Sequence, residues 1–76
     1  MKIIYNFIMK PKFAEKLKTL RKEKGLKQCE LARKLNVTQR KISYWETEQL
    51  EPDLETLINI ANYFEVTVDY LLGLCD

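Results

Sequence analysis

An all-α domain of five short helices is what this sequence predicts, and three observations carry the prediction. Beyond the first ten residues, apolar side chains recur at three- and four-residue spacings, with no alternating run of the kind strands require. Residues that start helices (Thr38, Asp53, Thr67) and residues that stop them (Gly25, Asn36, Gly73) bracket those windows. The chain has 76 residues, is 46% hydrophobic and holds two glycines and two prolines, which bounds it to one compact domain near the lower size limit for an independent core.

Each element follows in order. After Pro11, a residue tolerated at a helix start, Phe13, Leu17 and Leu20 fall at i, i+4 and i+7 and make one inward stripe, with lysines on the other faces. Gly25 ends that helix by supplying left-handed backbone just past its last turn. Gln28 to Leu35 forms a second helix that buries Leu31 and Leu35, while the small Ala32 permits a close crossing. Asn36 suits a left-handed turn, Val37 fills the space beneath it, and Thr38 caps a third helix running to about Thr47. The polar segment from Thr47 to Pro52 is a loop, since the residue before proline is biased away from helix. Asp53 caps a fourth helix whose expected core stripe is Leu54, Leu57, Ile58, Ala61 and Phe64. Val66 leads into a last short helix capped by Thr67, with Val68, Leu71 and Leu72 inward and Gly73 as its stop. Ile60, Tyr63, Tyr70 and Leu74 remain as surplus apolar positions available for a homodimer seam.

The division expected is residues 1–10 as an N-terminal extension, a strand or an arm, and residues 11–74 as the folded domain. Ile3, Ile4, Tyr5, Phe7 and Ile8 are apolar, but the run is too short to span a membrane and is broken by Asn6. No small-residue cleavage site follows, so neither a signal peptide nor a membrane is expected, and the cytoplasm is the expected location.

Charge divides the chain sharply. Through Trp45 there are 13 Lys and Arg against three acids, a charge of +10; from Glu46 onward there are eight acids and no basic residue, a charge of −8. One end attracts a polyanion and the other repels it. The same composition argues against catalysis and against a metal. There is no histidine, no glycine-rich phosphate loop and no CxxC spacing among Cys29 and Cys75. The chain is read as a non-enzyme with no cofactor and no small-molecule substrate, and its cysteines as reduced thiols.

The third helix has two unlike faces. At about 100° per residue, with Gln39 at zero, Ile42, Trp45 and Glu46 fall between about 240° and 340°, while Gln39, Ser43, Arg40 and Tyr44 fall between about zero and 140°. The first group faces the core; the second is a row of long hydrogen-bonding side chains. Trp45 is read as packing first, with an indole N–H that needs a partner near the rim. Arginine forks onto guanine O6 and N7 and glutamine pairs with adenine N6 and N7, so this face fits the base edges of a major groove. Two short helices joined by a tight turn, the second presenting such a face, make a helix-turn-helix.

A resemblance carries the reading further. Leu20-Arg21, Gly25-Leu26, Gln28, Leu31-Ala32, Leu35, Val37-Thr38, Ile42-Ser43, Trp45-Glu46, Pro52, Leu57, Ile60-Ala61, Val66 and Asp69-Tyr70-Leu71-Leu72-Gly73 together resemble the Xre-type helix-turn-helix family of phage repressors, Cro proteins and bacterial regulators. The likeness spans about residues 12 to 73. It implies a compact five-helix, lambda-repressor-like fold with the helix-turn-helix at the second and third helices. The implied function is a sequence-specific transcriptional regulator, a repressor, binding double-stranded DNA as a homodimer and reading the major groove with helix 38–47. Carried over by position, Gln39, Arg40 and Tyr44 address base edges and Thr38 lies against the groove wall. Lys27, Gln28, Lys41, Ser43 and Thr47 contact phosphates, with Gln28 also bracing Gln39. Arg21 and Glu46 match a structural ion pair behind the reading helix. The sequence departs from the family where Glu48 stands in place of the usual glycine and Glu51 in place of a basic residue, which predicts modest affinity per protomer. The alternative function is a protein-interaction module, an antitoxin or adaptor, built on the same fold.

Overall fold

In the computed structural model, which describes residues 12–74, the chain forms α1 (Phe13–Glu23), α2 (Gln28–Leu35), α3 (Gln39–Glu46), α4 (Leu54–Phe64) and α5 (Val68–Leu71). The extension at residues 1–10, Pro11 and Cys75 lie outside the described residues. α2 and α3 pack on each other, α1 lies across α3 and α5, and α4 closes the core against α2 and α5. Leu17, Leu31, Ile42, Ile60 and Leu71 sit fully buried where these helices meet. None of the helices would persist alone, because nucleation is costly and the longest has only 11 residues. Their stability comes from this shared centre.

The starts of three helices follow the sequence. Thr38 Oγ1 accepts from Lys41 N–H at 3.2 Å, Asp53 Oδ1 from Thr56 N–H at 2.8 Å, and Thr67 Oγ1 from Tyr70 N–H at 3.0 Å. α2 starts differently. Lys27 has no acceptor to offer, and the Glu30 carboxylate reaches back to the Lys27 N–H at 2.8 Å, half of a capping box.

All five helices end in the same way. At each, the cap or the residue after it has a positive φ and the next N–H donates back to the carbonyl at the start of the last turn: Leu26 to Arg21, Val37 to Ala32, Gln49 to Tyr44, Val66 to Ala61 and Leu74 to Asp69. The left-handed positions are Gly25, Asn36, Glu48, Glu65 and Gly73. Three of these are residue types that tolerate the conformation. Glu48 (φ 63°) and Glu65 (φ 59°) carry a Cβ that opposes it. Glu48→Gly and Glu65→Gly are therefore each expected to raise unfolding free energy by about 0.5–1 kcal/mol, the strain relieved less the added chain entropy of glycine. Urea denaturation checks this, and a loss of stability in both variants would contradict it.

The apolar stripe on α4 corrects the expectation. Leu54 is 68% exposed and Ile58 44% exposed, whereas Ile60 is fully buried. The inward face is centred on Leu57, Ile60, Ala61 and Phe64; Ile58 lies about 100° round from Leu57, and Leu54 sits in the first turn, beyond the edge of the core. Ile60 is thus unavailable for a dimer seam. Tyr63 and Tyr70 are half-buried, each beneath a lysine of α1: Lys24 Nζ stands 5.4 Å from the Tyr63 ring centroid and Lys16 Nζ 4.5 Å from that of Tyr70. Of the surplus set, Leu74 is exposed.

Candidate nucleic-acid interface

α3 is held from behind by a buried charge cluster. The Glu46 side chain is 1% exposed and that of Arg21 11%. Arg21 Nε donates to Glu46 Oε2 at 2.6 Å and Nη2 to Oε1 at 3.1 Å, a two-point fork between α1 and α3. The remaining nitrogen, Nη1, donates to the Leu26 carbonyl at 2.8 Å, and Gln28 Nε2 donates to Glu46 Oε1 at 3.0 Å. Three hydrogen bonds therefore fix the end of α3, two from α1 and one from α2, and a fourth ties Arg21 itself to the loop. Since the pair is desolvated, its main effect is orientation of α3; net stabilisation is small because desolvation offsets most of the attraction.

Gln28 is turned toward this cluster. Its amide turns to Glu46 rather than to Gln39, because a buried carboxylate attracts a donor more strongly than a neutral amide does. Nothing in the local sequence pairs residues 18 positions apart, so this contact is visible only once the helices are packed.

The opposite face of α3 is open. Gln39, Arg40, Lys41 and Tyr44 are exposed and Ser43 is partly so, while Ile42, Trp45 and Glu46 are buried. Thr38 is exposed at the helix start, with its hydroxyl engaged as the cap. Lys27 is exposed at the start of α2, beside Gln28. Gln39, Arg40 and Lys41 lie in the first turn of α3, where backbone N–H groups without intrahelical partners add partial positive charge.

Thr47 lies at the other end and its donors are engaged. Its N–H donates to Ser43 O at 3.0 Å and its hydroxyl to the same carbonyl at 2.8 Å, while Gln49 Nε2 donates to the hydroxyl oxygen at 2.9 Å. Neither donor is turned outward in this structure. The residue instead secures the last turn of α3.

Beyond that turn the surface becomes acidic, with Glu48, Glu51, Asp53 and Glu55 all exposed. Hydrogen bonds from the Thr56 side chain and backbone N–H hold the Asp53 carboxyl below its ordinary pKa, and nearby Lys41 adds to the effect. Cys29 is exposed on α2. Among the described residues no group of three or more His, Cys, Asp or Glu is placed to hold a metal, and no helix is long and apolar enough to cross a membrane.

Comparison with known proteins agrees with this arrangement. A family model described as "Helix-turn-helix" matches residues 17–71. The uncharacterized HTH-type transcriptional regulator YqaE of Bacillus subtilis (strain 168) is 47% identical over 60 residues, 79% of this chain and 52% of that protein. A crystal structure of a transcriptional regulator from Listeria innocua superposes with a TM-score of 0.79 at 41% identity, covering 87% of this chain and 62% of the other. The P22 c2 repressor protein, crystallised in complex with synthetic operator 9T, superposes with a TM-score of 0.77 at 28% identity, over 83% of this chain and 96% of the other. The chain spans about half the length of the curated relatives it matches.

Proposed function

The chain belongs to the helix-turn-helix family matched over residues 17–71, and from that premise we propose that it is a sequence-specific regulator of transcription that inserts α3 into the major groove of duplex DNA. One observation carries the reading: α3 buries Ile42, Trp45 and Glu46 and turns Gln39, Arg40 and Tyr44 outward from a rigid mount. A flexible mount would discriminate poorly, because base-edge hydrogen bonds demand fixed donor positions. Gln39 and Arg40 read bases, Tyr44 packs or bonds at the far end of the helix, and Thr38 lies at the groove wall. Lys27, Lys41 and Ser43, with the backbone N–H groups at the start of α2 around Gln28, take phosphates.

The likeness to the P22 c2 repressor, whose structure holds an operator, supports duplex DNA as partner and repression as outcome. One α3 covers only a few base pairs, so two protomers acting on a two-part site are part of the proposal. Leu54 and Ile58, one turn apart on the outer face of α4, are exposed apolar residues that suit the pairing surface. The same residues fit the second reading, a protein-interaction module, and one experiment separates the two. In a gel-shift titration against pooled random duplexes, saturable and salt-sensitive enrichment of one sequence supports the regulator. Binding that ignores sequence, or no binding, favours the interaction module. Sedimentation of Ile58→Glu alongside the parent tests the seam: the variant is expected as a monomer, and an unchanged mass would move the seam elsewhere.

A further inference from the structure

Two apolar features of the chain are not used in the packing of the five helices. On the outer face of α4, Leu54 is 68% exposed and Ile58 44% exposed, one helical turn apart and in line with the exposed Asn62. Residues 1–9, which lie outside the described residues, include seven hydrophobic side chains, among them Ile3, Ile4, Tyr5, Phe7 and Ile8. A segment that apolar is driven to remove its side chains from water, and the face of α4 offers surface of the same kind.

The two features also match in charge. Glu51, Asp53 and Glu55 are exposed around the first turn of α4, and the sequence has no basic residue from Glu46 onward. Lys41 of α3 answers part of that charge, at Asp53. Residues 1–12 hold Lys2, Lys10 and Lys12 and no acid. Two copies of α4 laid against each other would bring like charges together, whereas the N-terminal segment brings the opposite sign. Reach is sufficient. The Lys12 N–H donates to the Leu72 carbonyl at 3.0 Å, so the segment joins the domain beside the end of α5. Eight residues in extended form span about 26–29 Å, while α4, with 11 residues, is about 16 Å long.

We infer that residues 2–9 of one protomer dock on the outer face of α4 of its partner, with apolar side chains against Leu54 and Ile58 and Lys2 and Lys10 toward Glu51 and Glu55. The inference rests on the two-protomer reading above and names what meets the exposed face. A segment folded onto its own α4 would cover the same residues but give no pairing. Exchanged between two copies, the contact is made twice about one two-fold axis and closes at a dimer.

A sample mixing isotope-labelled and unlabelled full-length chain tests the contact directly. Ring protons of Tyr5 and Phe7 in one copy are expected to show nuclear Overhauser contacts with the methyl groups of Leu54 and Ile58 in the other. Contacts confined to one copy, or none from residues 2–9, would overturn the inference. Sedimentation equilibrium separates its failure from that of the pairing itself. The full chain carrying Ile4→Glu and Phe7→Glu should self-associate at least about tenfold more weakly than the parent, as should Ile58→Glu, because a carboxylate enters an apolar contact. If only Ile58→Glu weakens association, α4 remains the seam and the segment is removed from it. Association that Ile58→Glu leaves intact would place the contact elsewhere and equally overturn the inference. A parent that stays monomeric at every concentration would overturn the pairing as well.

Discussion

Glu46→Ala is expected to lose about 3–5 kcal/mol of folding stability, the cost of breaking a buried ion pair from one side. The carboxylate accepts three hydrogen bonds, two from Arg21 and one from Gln28, and all three donors are left without it. Arg21 then retains its charge in a site where its side chain is 11% exposed. For a domain this small, about 4–8 °C of midpoint is lost per kcal/mol, so the variant should melt roughly 15–30 °C lower. The double variant Arg21→Met with Glu46→Leu should recover most of the loss, because apolar residues of similar size remove the stranded charge as well as the pair. Urea denaturation of the three proteins measures this. A loss below about 1 kcal/mol in Glu46→Ala would mean that the pair behaves like an exposed one. The double variant has a second use: if it folds well yet discriminates poorly between duplexes, the pair serves to aim α3 rather than to stabilise the domain.

The second large effect concerns salt. In the proposed two-protomer complex Lys27 and Lys41 would place four cationic groups against phosphates, so log affinity should fall against log salt with a slope of about −3.5, near a hundredfold loss between 50 and 200 mM. Lys27→Ala should flatten the slope by about one per protomer and weaken every sequence alike. The acidic turn that begins at Glu48 explains why the predicted slope is modest for a chain whose first 45 residues carry +10. Affinity that is indifferent to salt would remove the phosphate contacts from the account. A slope unaltered in Lys27→Ala would remove that residue alone.

Much of this arrangement was legible in the sequence for local reasons. The two faces of α3 follow from a 100° step per residue, which turns Ile42, Trp45 and Glu46 to one side whatever packs against it. Thr38, Asp53 and Thr67 have the side chains that cap helices, and Gly25, Asn36 and Gly73 tolerate left-handed backbone. What was not legible is tertiary. Glu65 has no local preference for a positive φ and adopts one because Val66 must turn back under Ala61. Leu54 and Ile58 belong to an apolar pattern, and a pattern does not say where the core ends. The partner of Gln28 depends on which acceptor the fold brings nearest. The Trp45 indole N–H has no acceptor among the described residues, which can be recognised only once the helices are in place.

The central claim is that the outward side chains of α3 read base edges, and selection of bound duplexes from a random pool tests it most directly, run in parallel for the parent, Gln39→Ala and Arg40→Ala. The parent is expected to enrich one two-part motif. Each variant should relax the requirement at one position in each half of that motif, losing about 1–3 kcal/mol on the parent's site and little on random duplex. Identical motifs from all three proteins, or no enrichment by the parent, would contradict the account.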